Sequence, residues 1–468
     1  MGTKGCGVLS PRVPLIAVLI VFAGVFAGAQ TPSTDLDPAG ATRIFIDSVT
    51  SLGYSKSDKP YPLGNIDRLG FAQPINDLTL SLRSASGIEV SIMTRLVAEY
   101  TLEGAFNVPE PQSGNPVAVE NNIVYKGILS LPFFGGNVTL GRQAISLGPA
   151  RWSNLQISPQ VPYLDSVYFR LPLGRLEITQ VIVTLENRQG VDDVTIPTVP
   201  GYNFKITDII LSSRRFVWAA DTFDVAVGAQ SLFSRPYNAY QLGDLLPIFS
   251  VHNGDVGVNN ITFLADLNVR AIPDHRQYLI LGLDDVNANL FGIDDYGIPT
   301  IWAIVGGVAG LFRGPSFDLE YTLETTATHY LWGSFENFNP LSRSIDRLYT
   351  DGGNILLPLS SPYGPARISL RWETTAKIPN LFDAGLSGLL LWGDPTKDLT
   401  KTSYEAQGVN YQYMLTRFEV SLSKSFGSAW KLKIGGGGDF LPDAFYPRFS
   451  LSGTWIAHNE YPVTPLSK

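Results

Sequence analysis

The stretch IEVSIMTRLVAEYTLE, Ile88 to Glu103, decides the fold. Its even positions, Ile88, Val90, Ile92, Thr94, Leu96, Ala98, Tyr100 and Leu102, are apolar apart from one threonine. Its odd positions include Glu89, Ser91, Arg95, Glu99, Thr101 and Glu103. Successive side chains of a strand point to opposite faces, so this segment has one greasy face and one charged face. The same split recurs at Phe317, Leu319, Tyr321 and Leu323 against Asp318, Glu320, Thr322 and Glu324. Ile261, Phe263, Ala265, Leu267 and Val269 alternate with Thr262, Asp266, Asn268 and Arg270, and Ile368, Leu370 and Trp372 with Arg367, Ser369, Arg371 and Glu373. Val181 to Leu185 departs from the pattern and is apolar on both faces.

These segments are long. A strand of a soluble sandwich has about five or six residues, whereas a tilted strand crossing a membrane needs about 9–11 in hydrocarbon and extends beyond it. Connections alternate in length as well. Short turns fall near Ala85–Gly87, Phe134–Gly136, Pro172–Gly174, Ala220–Asp221, Pro273–Arg276, Arg313–Pro315, Pro379–Leu381 and Gly427–Ser428. Longer segments, such as 104–120, 146–162, 188–201, 235–257 and 332–365, lie between them. One-sided long strands with short turns at one end and long loops at the other describe an all-β, closed antiparallel transmembrane barrel. Candidate strands from Asp77 to Ala457 number 17, so the even count expected is 18, with 16 as the other possibility. If the short turns are periplasmic, one more strand must precede Asp77. Arg43 to Leu52 is the segment available, yet Phe45, Ile46, Val49 and Leu52 are spaced like a helix face, and the two arguments conflict.

Composition agrees with a barrel. Charged residues are 16% and apolar residues 44%, with 45 glycines, 32 prolines and a single cysteine. Soluble domains carry about 25% charge, and a polytopic helical protein would need apolar blocks. The longest apolar run after residue 30, Ile301 to Phe312, is 12 residues with three glycines, too short to span as a helix. At the N-terminus, Lys4 and Arg12 precede the apolar run Val13 to Phe26, and Ala27-Gly28-Ala29 supplies small residues for cleavage. Residues 1–29 therefore read as a secretory signal peptide. Its removal takes away two positive charges and the only cysteine, Cys6, moving the formal charge from −8 to −10. An acidic, exported, thiol-free chain disfavours nucleic acid as a partner. Residues 30–76 are expected as a short periplasmic segment with a helical element, 77–457 as the barrel and 458–468 as a tail. Trp455 would then sit in the last strand, with the barrel's usual terminal aromatic displaced.

The most distinctive stretch runs from Gly141 to Ser158: Gly141-Arg142-Gln143 at a strand end, Ser146-Leu147-Gly148-Pro149-Ala150-Arg151 as a turn, then Trp152, Asn154-Leu155 and Ser158. It resembles the signature of the Wzi-type outer-membrane capsule assembly proteins. Looser likenesses are Asn259-Asn260 with Asp266, Leu283-Asp284-Asp285, Leu319 to Thr322, the 353–365 loop and Lys59 to Gly64. The resemblance implies an 18-stranded barrel with a small helical element on the periplasmic side. It further implies binding of surface or capsular polysaccharide, help in capsule assembly or attachment, and residence in the outer membrane of a diderm bacterium among its lipid and lipopolysaccharide. The competing reading is a porin for small solutes, using the polar lumen faces as a channel.

Read physically, Gly148-Pro149 ends a strand, because proline removes a ladder donor. Arg142 and Arg151 would lie close across that turn and hold carboxylates bidentately, either Asp284 and Asp285 or the uronic acids of a polysaccharide. They would thus be part of a lumen salt-bridge network or of a ligand site, together with Gln143, Trp152 and Asn154. Trp152, Tyr163, Tyr237, Tyr240, Trp332 and Tyr363 lie in longer segments, as an interfacial girdle or as platforms for sugar rings. No motif for a catalytic residue, metal or cofactor is present. His252 with Asp255 is the one pair resembling part of a hydrolytic set, and Asp192-Asp193, Asp284-Asp285 and Asp294-Asp295 are loose acidic pairs. The run Gly435 to Gly438 lacks the strand-to-helix setting of a nucleotide loop and reads as close backbone packing.

Overall fold

The computed structural model describes residues 42–57, 73–100, 117–185, 193–195, 203–205, 209–234, 258–284, 299–333, 344–350, 353–397, 408–442 and 444–463. Every regular element among them is a strand. The first seven are β1 (Thr42–Ser57), β2 (Gln73–Arg83), β3 (Glu89–Tyr100), β4 (Val117–Phe133), β5 (Gly136–Gln143), β6 (Leu164–Leu173) and β7 (Leu176–Leu185). A small hairpin, β8 (Asp193–Thr195) with β9 (Asn203–Lys205), precedes β10 (Ile209–Ala219), β11 (Phe223–Ser234), β12 (Val258–Val269), β13 (His275–Leu283), β14 (Trp302–Arg313) and β15 (Asp318–Thr328). A second hairpin, β16 (Ser344–Thr350) with β17 (Gly353–Pro358), leads to β18 (Arg367–Lys377), β19 (Asp383–Gly393), β20 (Gln412–Phe426), β21 (Trp430–Phe440) and β22 (Phe445–Val463).

Leaving out the two hairpins, 18 strands pair antiparallel in chain order, and β1 closes the sheet on β22 from Thr42↔Val463 to Ser57↔Arg448. Closure leaves no unpaired edge, the condition for backbone to cross lipid. All eight expected short turns lie at one rim, and Phe133, Phe134, Trp218, Phe223, Phe312, Phe317, Trp430 and Trp455 gather near them, several in edge-on or tilted pairs. That is the aromatic girdle of a membrane interface.

The alternation places side chains as their polarity requires. On the outer wall Leu80 is 48% exposed, Val227 50%, Phe263 54% and Ile434 45%. In water such a band would drive aggregation; here it is what hydrocarbon contacts. The inner wall carries ion pairs: Arg95 holds Asp77 through two bonds of 2.6 and 2.7 Å, Arg215 holds Asp266, and Asp439, fully buried, is shared by Arg417 and Arg448 at 2.9 and 3.0 Å.

Two expected boundaries shift. Part of the segment assigned to the periplasm, Thr42–Ser57, is a barrel strand, which settles the conflict between helical spacing and strand count at 18. The spacing misled because apolar residues occupy both faces of β1: Ile44 and Ile46 share the outer side with Leu82 and Leu80, while Phe45 turns inward under the Arg83 guanidinium at 5.2 Å. At the other end, β22 continues through His458 to Val463, so most of the expected tail is strand. Tyr461, opposite outward Ile44, therefore lies two residues from the end of the last strand. The signal peptide, the part of the 30–76 segment before β1 and the Lys59 to Gly64 likeness lie outside the described residues.

Candidate functional site

The connection from β5 to β6 is the most buried loop of the described chain. Leu155, Ile157, Asn154 and Ser158 are wholly inaccessible, and Trp152 retains 5% exposure. Rather than standing above the rim, it folds against the inner wall. Leu155 packs with Leu264, Tyr278, Ile280, Ile301, Ala303 and Val305, which are inward residues of β12 to β14 and the entry to β14.

The loop first closes on itself. Gly148 takes φ +126°, where a side chain would strike Asn154 Oδ1, and Asn154 bridges the turn by accepting from Ala150 N at 2.7 Å and donating to Ser146 Oγ at 2.7 Å. Leu147 and Ile157 form a backbone bridge, and Ser158 Oγ donates to Trp152 O at 2.8 Å. It then ties itself to the walls. Glu324 Oε2 accepts Arg151 N at 3.0 Å, Trp152 N at 3.1 Å and Tyr278 OH at 2.7 Å. Gln156 Nε2 donates to Ser213 Oγ and Arg214 O, while Gln230 Nε2 donates to Gln156 O.

A second segment meets the first inside the lumen. Ser158 N donates to Leu359 O at 2.7 Å, Trp332 is 1% exposed with its indole N–H on Ser360 Oγ, and Thr328 Oγ1 donates to Gly364 O. The two connections, β5–β6 and β15–β18, thus share one core with the inner wall and form a plug.

Of the residues expected at a site, Arg142 and Arg151 are not joined. Arg142 forms a bidentate pair with Asp165 on β6, at 2.7 and 2.9 Å, and lies 4.7 Å from the Tyr163 ring. Arg151 reaches Glu373 on β18 at 3.1 Å. Asp284 accepts from Thr262 Oγ1 at 2.7 Å. Gln143 donates to Ser166 Oγ and the Thr139 carbonyl, and so serves the strand. Trp152, Trp332 and Tyr363 belong to the plug rather than to a girdle or an open platform. Asp285, Tyr237, Tyr240, His252, Asp255, Asp192, Asp294 and Asp295 lie outside the described residues.

Sequence reasoning passed over Glu324 and Arg371. Both alternate inward on charged strand faces that look alike, and only the fold singles them out. Trp152 lies between two guanidinium groups, that of Arg371 at 4.5 Å and that of Arg151 at 5.7 Å. The Arg151–Glu373 pair beside them is half exposed, so water reaches this part of the lumen. In Gly435 to Gly438, a side chain at Gly437 would overlap Phe418 O and one at Gly438 the Phe445 ring, which is close packing.

No family model and no curated protein matches the sequence. Among solved structures, the chain is similar to Wzi of Escherichia coli, described as an outer-membrane protein involved in group 1 capsule assembly and a carbohydrate-binding β-barrel. Identity is 12%, the TM-score 0.52, and 91% of this chain and 85% of that chain are covered. It also matches Pseudomonas aeruginosa OccK5 (OpdH), at 9% identity, TM-score 0.46 and coverage of 90% and 98%. Acinetobacter baumannii OccAB4 gives 10%, 0.45, and again 90% and 98%. With its closed sheet, lipid-facing band and girdle, the chain is an 18-stranded outer-membrane β-barrel.

Proposed function

We propose that this barrel is a non-enzymatic binder of surface polysaccharide that assists the assembly or attachment of a capsule. The observation that carries the reading is the fate of the Gly141 to Ser158 stretch. The residues that resemble the capsule-assembly signature are the ones that fold inward, bond to the β15–β18 connection and pack a core against the lumen wall. A channel for bulk solute would keep that volume wet, whereas a plugged barrel offers its loops and upper lumen as a binding surface. The carbohydrate binding of the Wzi barrel agrees with this use of the fold.

The test is binding of the cell's own surface polysaccharide to the purified barrel by calorimetry, beside glycan staining of a deletion strain. Saturable binding and a thinned or shed surface layer are expected. No binding together with an intact layer overturns the reading, and large, stable conductance steps in planar bilayers would favour a porin.

A further inference from the structure

Arg371 stands out among the inward cations. It sits on β18 opposite Glu324 of β15 and Leu389 of β19, both inward and buried, so its side chain enters the lumen. Several arginines near it hold carboxylates, Arg151 on Glu373, Arg215 on Asp266, and Arg417 and Arg448 on Asp439, while Arg367 on the same strand donates to the backbone carbonyls of Ala366 and Asp394. Arg371 has no carboxylate within ion-pair distance among the described residues. Its cross-strand neighbour Glu324 turns away to the three donors of the plug, and its neighbour on the same face, Glu373, is taken by Arg151.

What Arg371 does touch is aromatic. Its guanidinium lies 4.5 Å from the Trp152 ring centre, a contact that fixes the planar fork while leaving its edge N–H groups available. Beside it the Tyr363 hydroxyl, on a side chain 6% exposed, lies buried against the Arg371 guanidinium. A guanidinium held between a tryptophan ring and a buried phenol, with no carboxylate of its own and a neighbouring ion pair open to water, makes a site for a planar oxyanion. Positioned this way, arginine recognises a carboxylate through two parallel hydrogen bonds.

We infer that Arg371, backed by Trp152 and Tyr363, is the lumen site for a carboxylate-bearing sugar of the surface polysaccharide. The inference rests on the polysaccharide reading and narrows it to acidic glycans.

The test is calorimetric titration of the full barrel with tetragalacturonate and with uncharged maltotetraose, for the native chain, Arg371→Gln, Arg371→Lys and the rim control Arg313→Gln. Unheated gel migration confirms that each variant is folded. Tetragalacturonate should bind and maltotetraose should bind at least tenfold more weakly. Arg371→Gln should lose about tenfold or more in affinity, Arg371→Lys should retain part of it, and Arg313→Gln should match the native chain. Equal binding of the two oligosaccharides, or unchanged tetragalacturonate binding by Arg371→Gln, overturns the site. If the native chain takes up the cell's polysaccharide but not tetragalacturonate, this inference alone falls. If it takes up neither, the polysaccharide reading falls with it.

Discussion

The carboxylate of Glu324, midway along β15, accepts the backbone N–H of Trp152 at 3.1 Å, joining positions 172 residues apart. The same oxygen takes Arg151 N and the Tyr278 hydroxyl, and Glu324 is 2% exposed. Three donors replace the water that this buried carboxylate has lost. Glu324 is therefore one of the wall residues that hold the loop, and it does so through backbone groups that side-chain truncations in the loop leave in place.

Replacing Glu324 by alanine should release the loop. Three donors would be left buried without acceptors, at a cost of about 1–3 kcal/mol for each that water cannot reach. The barrel's own ladder is untouched, so strand content should persist in circular dichroism. The expected outcome is protease nicking within 146–162 in folded barrel, which the native chain resists. Equal resistance in the variant would show that the apolar contacts of Leu155 and Trp332 hold the plug alone.

The arginines of the distinctive motif carry less of the stability than their prominence suggests. The Arg142–Asp165 and Arg151–Glu373 pairs are 36–51% exposed, and exposed pairs are worth about 0–1 kcal/mol. Arg142→Ala and Arg151→Ala should barely move the heat-modification temperature. The Arg215–Asp266 pair is different, at 15% and 6% exposure. Asp266→Asn strands a guanidinium in the packed lumen and should cost about 3 kcal/mol in denaturant unfolding from lipid vesicles. A motif arginine that proved as costly as Asp266 would contradict this ranking.

The barrel was legible because lipid enforces period two wherever one face meets hydrocarbon and the other water. The pattern blurred where the lumen is not wet. Val181 and Val183 are inward and buried, and Ala303 and Val305 turn inward against Leu155. Val181 to Leu185 and Ile301 to Phe312, apolar on both faces, thus mark walls against which something packs. That was the sequence signal for a filled lumen. The plug itself was not legible, because Leu147, Leu155, Ile157 and Val161 follow no period and the wall partners of Leu155, from Leu264 to Val305, lie over 100 residues downstream. Nor could spacing tell Arg371 from the paired arginines, since pairing depends on which carboxylate the loop diverts.

Close approach of plug and wall gives a further prediction at Gly282 on β13. A methyl group there would sit 2.5 Å from the Trp332 ring and 3.1 Å from Leu155, two residues at the centre of the plug. The ring is boxed in by its bond to Ser360 and has little room to retreat. Gly282→Ala should therefore overpack the junction, lowering stability by about 1–3 kcal/mol. Trp332→Ala opens a cavity instead and should cost about 3–5 kcal/mol. If the clash is what matters, combining the two should cost less than the sum, measured as a double-mutant cycle by thermal unfolding.

Acid should loosen the plug through His329, which follows β15 and begins the second lumen segment. Burial holds its pKa below the ordinary histidine value, and its neutral Nδ1 accepts the Leu331 N–H at 3.3 Å. Protonation charges a ring packed against Tyr330 and removes that acceptor. Because the folded pKa is depressed, the unfolded segment binds protons first, so the contribution is intact above the ordinary value, about 6.5, and is lost as pH falls through the folded one. Protease nicking between 329 and 366 should accordingly rise on acidification from pH 7 to 5. In His329→Gln, whose side chain does not titrate, nicking should be independent of pH over that window. A variant that kept the native pH profile would place the sensor elsewhere.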